Sequence, residues 1–404
     1  MRELILTLNA GSSSVKFALF ELGAGEPELV AKGQVEGIGT APHFLVKDNR
    51  GALLAESYWE PVSGGRGHTV AFQQISRWLK EATQDGNIVA VGHRVAHGGE
   101  HCAQPVFIDD SMIADLNRLI PLVPLHLPHN LASIKAVAMS HPHLPQVACF
   151  DTSFHHQRPA ESERFGLPYS FYERGIRRYG YHGISYEYIL KRFRELEPEL
   201  SQGKIIVAHL GNGCSMCAIQ HGKSVDTTMS FSALDGLPMG TRCGALDPGV
   251  LLYLLRQEGM SVDELEKLLY KESGLLGISG VSNDMRALWK SDDPRAQDSI
   301  DYFIFRICQF LGALTASMGG LDALIFTAGI GENDAAIREY VCRQASWLGL
   351  TLDKQANEKQ DLKISTESST PSVWVIPTDE ERMIALHTAE MLKGASTNGV
   401  QLAG

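Results

Sequence analysis

A strand, a turn of small residues and a second strand occur twice in this chain, once in each half. The two copies are Glu3–Phe20 and Lys204–Ile219. Gly11 in the first turn and Gly211 in the second lie 200 residues apart in a chain of 404 residues. This spacing indicates an internal duplication, and it predicts two similar halves that each begin with the same hairpin.

Both turns, Asn9–Ser14 and His209–Ser215, are rich in glycine, serine or small polar residues. Such turns expose backbone N–H groups and hydroxyls that can bind an anion, most often phosphate. The same composition is also typical of an ordinary hairpin loop, so the residues alone leave both interpretations open. A third glycine-rich stretch, Gly329–Asn333, follows the apolar strand Ala323–Ala328.

The two commonest nucleotide-binding fingerprints are absent from the sequence, which contains neither GxxxxGKS or GxxxxGKT nor GxGxxG. A duplicated chain with a hairpin turn in each half favours another arrangement. We expect a nucleotide to lie in the cleft between the halves, with the turns facing its phosphates.

Strands alternate with helices along the chain, which predicts an α/β fold. Further strands are predicted at Glu28–Val35, Ile88–Gly92, Gln146–Phe150 and Val373–Ile376. Apolar residues at helical spacing predict helices at Val70–Ala82, Met112–Leu119, Pro248–Gln257, Val262–Leu269 and Ile300–Met318. Thr378 and Glu381 predict the start of a final helix through a capping box, and Ser261 and Glu264 do the same for Val262–Leu269.

Composition excludes several classes of function. The length is enough for two or three domains at ~100–200 residues each. A net charge of −11 argues against nucleic-acid binding, because phosphate backbones require basic surface. The sequence contains no uninterrupted apolar run of ~18 residues, so we expect no transmembrane helix. The first residues do not resemble a signal peptide. Seven scattered cysteines suit reduced thiols, so we expect a cytoplasmic protein.

Charged residues follow two of the predicted strands. Arg94 comes after Ile88–Gly92, and Asp151 comes directly after Gln146–Phe150. Open α/β sheets place ligand sites at the carboxyl ends of their strands. Arginine supplies a planar, permanently charged fork for phosphate or carboxylate. These two positions are therefore candidates for a site that binds an anionic substrate.

Seven segments taken in order resemble the acetate kinase family, a match that extends from Leu4 to Leu392. They are Asn9–Phe17, Gly92–Glu100, Phe150–His155, Arg178–Gly183, His209–Gly213, Met239–Arg242 and Phe326–Asn333. The resemblance implies a reversible, direct in-line transfer of the γ-phosphoryl group of ATP to acetate, giving acetyl phosphate and ADP. It also implies duplicated ribonuclease-H-like domains of the actin, Hsp70 and sugar kinase type with an interdomain cleft, and a homodimer.

The resemblance also implies domain boundaries. An N-terminal domain would comprise residues 1–152, joined by a C-terminal helix at 380–404. A second domain, residues 153–379, would bind the nucleotide and form the dimer contact.

An acetate substrate is already ionised at neutral pH, so the reaction needs no strong general base. It needs charge neutralisation on the transferring phosphoryl group and in-line alignment. We therefore assign Arg94 and Arg242 to the carboxylate and the phosphoryl oxygens. By resemblance, His182 stabilises the equatorial oxygens, and His126 and His209 line the same cleft.

Three assignments concern the surroundings of these groups. His129 is close enough in sequence to enter the cleft instead of His126. Asp151 helps to position Mg²⁺ or its water. Asn9 and Glu380 resemble the family's Mg²⁺ residues, where Mn²⁺ is also possible; few protein ligands are expected because Mg²⁺ retains several waters.

Nucleotide contacts are carried over in the same way. The phosphates would meet His209, Leu210, Gly211, Asn212 and Gly213. Adenosine would lie near Asp284, Met285 and Arg286. The third turn, which contains Gly329, Ile330, Gly331, Glu332 and Asn333, would face the nucleotide. Lys16 either approaches a phosphate or faces solvent from its strand.

The sequence departs from the usual family pattern beside several of these positions. Ile184 and Tyr186 stand where the family commonly has Thr and His, and Leu127 stands where Asn is usual. Cys243 and Ala245 replace Ser and Asp. These changes bear on the hydrogen bonds around the catalytic residues and leave the reaction type unchanged.

The acyl pocket is the second departure. Ala96 and Ala233 stand where the family often has Val and Pro, and Tyr181 replaces Phe; Leu125 completes the pocket. Smaller side chains would admit one more methylene, which is worth only ~1–3 kcal/mol in discrimination. We therefore expect propionate to be used well beside acetate, and a propionate kinase is the alternative function.

Two rival functions belong to other classes on the same fold. A sugar kinase needs a carboxylate base for a hydroxyl, and the pair Arg94 and Arg242 argues against a neutral sugar. An actin-like or Hsp70-like ATPase would lack an Arg–His acceptor cluster and would hydrolyse ATP without a carboxylate.

Overall fold

The computed structural model describes residues 2–62 and 66–397. The chain divides into two compact units. The first unit is Met1–Ser153 with Asp379–Gly404, and the second is Phe154–Thr378. The predicted C-terminal helix 380–404 extends in part beyond the described residues, in which it runs as far as Thr397.

The described residues include thirteen strands. They are β1 (Arg2–Ala10), β2 (Val15–Glu21), β3 (Glu28–Glu36), β4 (His43–Asp48), β5 (Leu53–Tyr58), β6 (Gly86–Val95), β7 (Val106–Phe107), β8 (Gln146–Phe150), β9 (Lys204–Leu210), β10 (Cys214–Gln220), β11 (Lys223–Thr227), β12 (Ala323–Thr327) and β13 (Ser372–Val375).

The same residues include fourteen α-helices. They are α1 (Gly67–Ala82), α2 (Asp110–Leu119), α3 (Leu127–Ser140), α4 (Tyr169–Glu173), α5 (Gly183–Leu196), α6 (Pro248–Arg256), α7 (Val262–Lys271), α8 (Gly274–Ser279), α9 (Met285–Leu288), α10 (Pro294–Met318), α11 (Ala328–Asn333), α12 (Ala335–Gln344), α13 (Lys354–Lys359) and α14 (Glu380–Thr397). Short 3-10 helices lie at Ile120–Leu122, Ser153–His155, Ala160–Glu163, Leu200–Gln202 and Ser346–Leu348.

The first unit is built on a sheet with the order β5-β4-β3-β2-β1-β6-β8-β7. At its centre, β1 pairs antiparallel with β2, with Asn9 opposite Lys16. On its other side β1 pairs parallel with β6, which in turn pairs parallel with β8. The carboxyl ends of β1, β6 and β8 therefore point the same way, and the residues that follow them lie side by side.

The second unit contains a sheet with the order β11-β10-β9-β12-β13. Here β9 pairs antiparallel with β10 and parallel with β12, and β12 pairs parallel with β13. A central strand with a hairpin partner on one side and two parallel strands on the other is thus common to both units. This arrangement confirms the α/β prediction.

Helices cover both faces of the first sheet because β1 is a nearly continuous apolar run whose successive side chains point to opposite faces. On one face Leu4, Leu6 and Leu8 pack in a core with residues of α1. On the other face Ile5 packs with Ala385 and Ala389 of α14. A side chain at Gly92 would meet α14, since an added Cβ would lie 2.3 Å from Thr388 Oγ1. Glycine at this position therefore lets α14 pack directly on β6.

Three local predictions differ from the structure. Strand β6 continues to Val95, so Arg94 lies within the strand rather than after it. The third glycine-rich turn forms the short helix α11, entered through Ala328 at φ 65°. The predicted capping role of Thr378 is wrong, because the Asp379 carboxylate accepts the Arg382 N–H at 3.1 Å. The capping box of Ser261 and Glu264 is confirmed.

Candidate active site

Arg94 and Asp151 form a bidentate ion pair in the first unit, in which Asp151 is buried and Arg94 is half-buried. Arg94 Nε donates to Asp151 Oδ1 at 3.1 Å, and Nη2 donates to Oδ2 at 2.5 Å. Asp151 is 1% exposed. The pair forms because β6 and β8 are parallel neighbours in register near Val95 and Phe150. Burial alone would lower the pKa of the Arg94 guanidinium, but the charges of Asp151 and Glu380 outweigh burial and raise it.

Asn9 and Glu380 join the same cluster. Arg94 Nη1 donates to Asn9 Oδ1 at 3.3 Å, and Asn9 Nδ2 donates to Glu380 Oε2 at 3.2 Å. The same Glu380 oxygen lies 3.7 Å from Arg94 Nε. The structure thus brings together four of the predicted residues, contributed by the end of β1, by β6, by the loop after β8 and by the start of α14. One guanidinium faces two carboxylates and one amide.

Two residues that the sequence reasoning missed fix the first turn. Asn130 Nδ2 donates to Ala10 O at 2.9 Å, and its Oδ1 accepts the Ala96 N–H at 3.0 Å. His68 Nε2 lies 2.8 Å from Gly11 O. An asparagine beside the apolar residues Leu127 and Leu131 was the available signal for Asn130. His68 carried none, since it reaches the turn only because α1 packs on the sheet.

The histidines near α3 occupy different places. His126 is half-buried and directly precedes α3, next to the half-buried Leu125. His129 stacks on His68 with ring centroids 4.5 Å apart. Burial, and then the charge of His68, lower the pKa of His129. His129 is therefore linked to the first turn through His68.

Two further predicted residues belong to the first unit. Ala96 follows β6 and is 3% exposed. Lys16 is exposed on β2, opposite Asn9 in the ladder. Burial, and then the charge of Glu380, raise the pKa of Glu381, and the charge of Lys16 acts in the opposite direction.

Two predicted histidines stack on each other in the second unit. The rings of His182 and His209 have centroids 4.2 Å apart and an interplanar angle of 19°. His182 precedes α5 in the left-handed conformation, at φ 59°, which is unusual for a residue other than glycine. Its Nδ1 lies 2.8 Å from Ser215 Oγ, and His209 Nδ1 lies 2.9 Å from Ser185 Oγ. Both rings are thus oriented by hydroxyls.

Arg242 and His182 both crowd the second turn at Gly213. A Cβ added to Gly213 would lie 2.9 Å from Arg242 Nη2 and 3.3 Å from His182 Nε2. Arg242 Nη1 donates to Ala233 O at 2.8 Å. The absence of a side chain at Gly213 therefore allows the guanidinium and the imidazole to approach the turn backbone.

The remaining predicted acyl-pocket residues are buried in the second unit. Tyr181 is 3% exposed, and its hydroxyl donates to Phe231 O at 2.8 Å. Ala233 is 6% exposed. The phenol at position 181 is therefore satisfied by the backbone.

A cavity of about 530 Å³ in the second unit gathers many of the predicted nucleotide residues. Its lining consists of Gly211, Asn212, Asn283, Asp284, Met285, Arg286, Gly329, Ile330, Asn333 and Asp334. Asn283 and Asp334 were not predicted. The Asp284 carboxylate accepts from Arg286 Nε at 3.0 Å and Nη2 at 2.7 Å.

Other predicted nucleotide residues do not line this cavity. Leu210 is fully buried in β9. Glu332 Oε1 accepts the backbone N–H of Ala328 at 2.8 Å and of Thr378 at 3.1 Å. Gly331 is buried in α11. His209 and Gly213 lie with His182 and Arg242 instead.

Across residues 2–62 and 66–397, no group of three or more His, Cys, Asp or Glu side chains is arranged to hold a metal ion. Asn9, Asp151 and Glu380 offer oxygen atoms, the donors that Mg²⁺ prefers, and Mg²⁺ commonly takes only one or two protein carboxylates. The donor set therefore fits Mg²⁺ with water completing its shell. No helix within these same ranges is long and apolar enough to cross a bilayer.

Comparison with known proteins places these features in a family. A family model described as the acetokinase family matches residues 4–386. The chain is 49% identical to an acetate kinase of Methylocella silvestris, covering 97% of this chain and 98% of that one. It is 48% identical to an acetate kinase of Rhodopseudomonas palustris, covering 98% and 100%.

Two crystal structures are similar over nearly the whole chain. The acetate kinase of Porphyromonas gingivalis is 38% identical, with a TM-score of 0.84 and coverage of 96% of this chain and 100% of that one. A propionate kinase of Francisella tularensis is 37% identical, with a TM-score of 0.88 and coverage of 95% and 98%. These neighbours confirm the predicted fold class.

Proposed function

We propose that this chain, which belongs to the acetokinase family, transfers the γ-phosphoryl group of ATP to acetate and releases acetyl phosphate and ADP, reversibly. The observation that carries the proposal is the family match over residues 4–386, together with relatives named acetate kinase at 48–49% identity. The half-buried arginines Arg94 and Arg242 support it, because both reactants are anions. A neutral sugar acceptor would not require them.

In the first unit, we assign Arg94 to the carboxylate end of the reaction. Asp151 and Asn9 hold the guanidinium through three hydrogen bonds, so that it is oriented before the substrate binds. A positioned group costs little reorganisation when the substrate arrives. His126, Leu125 and Ala96 are proposed to border the acyl group from this unit.

In the second unit, we assign Arg242 and His182 to the phosphoryl oxygens. Phosphoryl transfer spreads negative charge over three equatorial oxygens, and fixed donors stabilise that charge. Arg242 and His182 both approach Gly213, so the two donors converge on one turn. Direct in-line transfer needs no covalent intermediate on the enzyme. Tyr181 and Ala233 are proposed to border the acyl group from this unit.

We propose that Asn9 and Glu380 hold Mg²⁺, directly or through water, and that Asp151 positions a water of its shell. The bound ion would neutralise charge on the phosphates of ATP. Mn²⁺ could replace it, since Mn²⁺ accepts the same oxygen donors.

We assign ATP and ADP to the cavity of about 530 Å³ in the second unit. Asp284, Met285 and Arg286 would contact adenosine, and the turns at 209–213 and 329–333 would approach the phosphates. Lys16 of the first unit is a further candidate for a phosphate contact.

Substrate choice remains a proposal with acetate first and propionate second. Ala96 and Ala233 are smaller than the side chains common in the family, so the pocket should accept an extra methylene. The structural neighbour named propionate kinase supports this alternative.

One assay tests both statements. The purified chain is incubated with ATP, Mg²⁺ and acetate, propionate or butyrate, and the acyl phosphate is trapped with hydroxylamine. We expect kcat/KM for propionate within about tenfold of that for acetate, because one methylene is worth only ~1–3 kcal/mol. A hundredfold deficit for propionate would contradict the wide pocket. ATP turnover independent of any carboxylate would contradict the proposed function.

We also propose a homodimer, two domains (residues 1–152 with 380–404, and 153–379) and a cytoplasmic location. Helix α6 is apolar yet contains no buried residue, and Leu252 and Tyr253 are 50% and 56% exposed. A second copy would cover this face, and sedimentation equilibrium would give the mass. Seven free cysteines support a reducing location.

A further inference from the structure

Two hydroxyl groups, those of Tyr186 and Ser215, form a hydrogen-bonded chain that ends at the His182 ring in the second unit. The Tyr186 hydroxyl hydrogen-bonds to Ser215 Oγ, and Ser215 Oγ lies 2.8 Å from His182 Nδ1. Tyr186 and Ser215 are both 0% exposed. Tyr186 lies in the first turn of α5, four residues after His182, so that the helix brings the phenol back beneath the ring that precedes it.

Elementary acidity fixes the direction of the protons along this chain. A phenol is a stronger acid than an aliphatic hydroxyl, so Tyr186 is the better donor of the pair. Ser215 has a single hydroxyl proton, and when it accepts from Tyr186 that proton is directed to its other neighbour, His182 Nδ1. Nδ1 then accepts, and in the neutral ring the remaining proton resides on Nε2.

We propose that Tyr186 is a positioning residue that, through Ser215, holds His182 in its neutral Nε2–H tautomer. This inference rests on the proposed function for its consequence in the reaction. His182 Nε2 lies on the side of Gly213 and Arg242, where phosphoryl oxygens are proposed to bind. Those oxygens only accept hydrogen bonds, so Nε2 must carry a proton. In the other tautomer an Nε2 lone pair would face the oxygens.

His209 provides an internal contrast. Its Nδ1 lies 2.9 Å from Ser185 Oγ, which in turn lies 2.8 Å from Thr378 Oγ1. Two aliphatic hydroxyls of nearly equal acidity impose no direction on the proton. The phenol at position 186, where the family commonly has histidine, imposes one on His182.

Ring packing is the alternative role of Tyr186. Its ring centroid lies 5.7 Å from that of His155, 6.3 Å from that of Phe154 and 6.4 Å from that of His209. Phenylalanine would retain all three contacts. The substitution Tyr186→Phe therefore separates the hydroxyl from the ring.

The test combines spectroscopy with kinetics on the full chain. Nitrogen-15 is introduced into the histidines, and the tautomer of His182 is read from two-bond nitrogen–hydrogen correlations, with His182→Gln identifying its signal. We expect the Nε2–H form in the original chain and a mixture, or the Nδ1–H form, in Tyr186→Phe. We expect kcat to fall about tenfold, as for the loss of one buried hydrogen bond, with little change in KM for acetate and ATP.

A double-mutant cycle tests whether Tyr186 acts through Ser215. Ser215→Ala removes the relay, so adding Tyr186→Phe to it should cause no further loss of kcat. Tyr179→Phe is the matched control, since Tyr179 is also buried and its hydroxyl donates to a backbone oxygen, Gly175 O, at 2.7 Å. It should leave kcat and the His182 signal unchanged.

Two results would overturn the inference: an unchanged His182 tautomer in a folded Tyr186→Phe chain, or losses of kcat that multiply fully in the double variant. Circular dichroism melting curves establish that each variant is folded. The tautomer is measured without substrate, so a chain that phosphorylates no carboxylate would refute the proposed function while the spectrum still decides the role of Tyr186.

Discussion

The two glycine-containing turns, Asn9–Ser14 and His209–Ser215, have the same strand neighbours but different charged side chains around them. Each joins a central strand to its antiparallel partner, and each lies beside parallel strands. The first turn leads Asn9 into a cluster of Arg94, Asp151 and Glu380. The second turn is approached by the guanidinium of Arg242 and the imidazole of His182.

The difference lies in what the neighbouring elements contribute, and not in the turns. Around Asn9, two carboxylates outnumber one guanidinium, a balance that suits a cation and an oriented arginine. Around Gly213 the approaching groups are a guanidinium, which is a permanent donor, and an imidazole that donates from Nε2 in the proposed tautomer, a combination that would suit an anion. One backbone arrangement thus carries two different sets of charged groups, because the side chains at the adjacent strand and helix ends differ.

The largest expected effect comes from breaking the charge pair on the first side. Asp151→Ala leaves the half-buried Arg94 guanidinium without its bidentate carboxylate partner. Loss of one member of a buried pair typically costs about 3–5 kcal/mol of stability. We expect kcat/KM to fall by about a thousandfold as well, since Arg94 loses its orientation. Urea unfolding and the hydroxylamine assay measure the two effects.

A matched control for this variant is Asp115→Ala, which removes the carboxylate of the exposed pair with Arg118. Exposed pairs contribute about 0–1 kcal/mol, so stability should hardly change. Equal losses in the two variants would contradict the special position of Asp151.

The intermediate effect compares the turns directly by adding one methyl group to each. In Gly213→Ala the new Cβ would lie 2.9 Å from Arg242 Nη2, which forces the guanidinium to move. In Gly11→Ala its nearest atom would be Ser14 O at 3.5 Å, an ordinary contact. We expect kcat/KM to fall about 10–100-fold in Gly213→Ala, because the Arg242 guanidinium is displaced, and about twofold or less in Gly11→Ala, where no atom has to move. A loss of about 1.4 kcal/mol of transition-state stabilisation corresponds to a tenfold fall in rate.

Rates from the hydroxylamine assay, with melting curves for both variants, provide the measurement. A reversed order of the two alanine variants would show that the first turn, and not the second, is the tightly packed one.

The smallest effect concerns pH. Burial lowers the pKa of His93 from 6.5 to about 4, against the opposing hydrogen bond with Gln146. Between those values the unfolded chain binds a proton that the folded chain does not, so stability falls as pH falls. The expected loss from His93 at pH 5.5 is about 1 kcal/mol, at ~1.4 kcal/mol per unit of pKa.

The midpoint of urea unfolding at pH 7.5 and pH 5.5 measures this loss. His93→Gln should reduce the change of the urea midpoint with pH, whereas His143→Gln, at an exposed histidine, should leave that change as it is. A dependence that His93→Gln leaves unchanged would assign the proton uptake elsewhere, for instance to His155, whose pKa is lowered to about 3 by burial and then by the Arg158 charge.

The sequence was sufficient to predict the central strands β1, β2, β6, β8, β9, β10 and β12 and the helices α1, α2, α6, α7 and α10, because their apolar periodicity reflects burial. It did not predict β4, β5 or β11, nor the helices α3 and α5. It also predicted Arg94 and Asp151 as site residues, because both come at or near the end of a strand, where α/β sheets place ligands; it did not predict that the two pair with each other. Family resemblance selected His182 and Arg242. The structure shows that these two converge on Gly213, whereas the assignment of their roles rests on the proposal.

Contacts that depend on packing between distant elements could not be predicted. His68 meets Gly11 across 57 residues, and Tyr186 meets Ser215 across 29. No local pattern encodes either approach. The cap of α14 was misassigned because Thr378 and Asp379 are both good capping residues, and the Thr378 hydroxyl is engaged with Ser185 instead.

Helix α14 has a consequence for the order in which the protein is made. Its alanines cover Ile5, Ala18 and Phe20 on β1 and β2, near the opposite end of the chain. A ribosome releases those strands hundreds of residues before it synthesises the helix that shields them. The unit that emerges first can therefore reach its complete form only after the other has left the exit tunnel. During that interval, its apolar face is where a chaperone would bind.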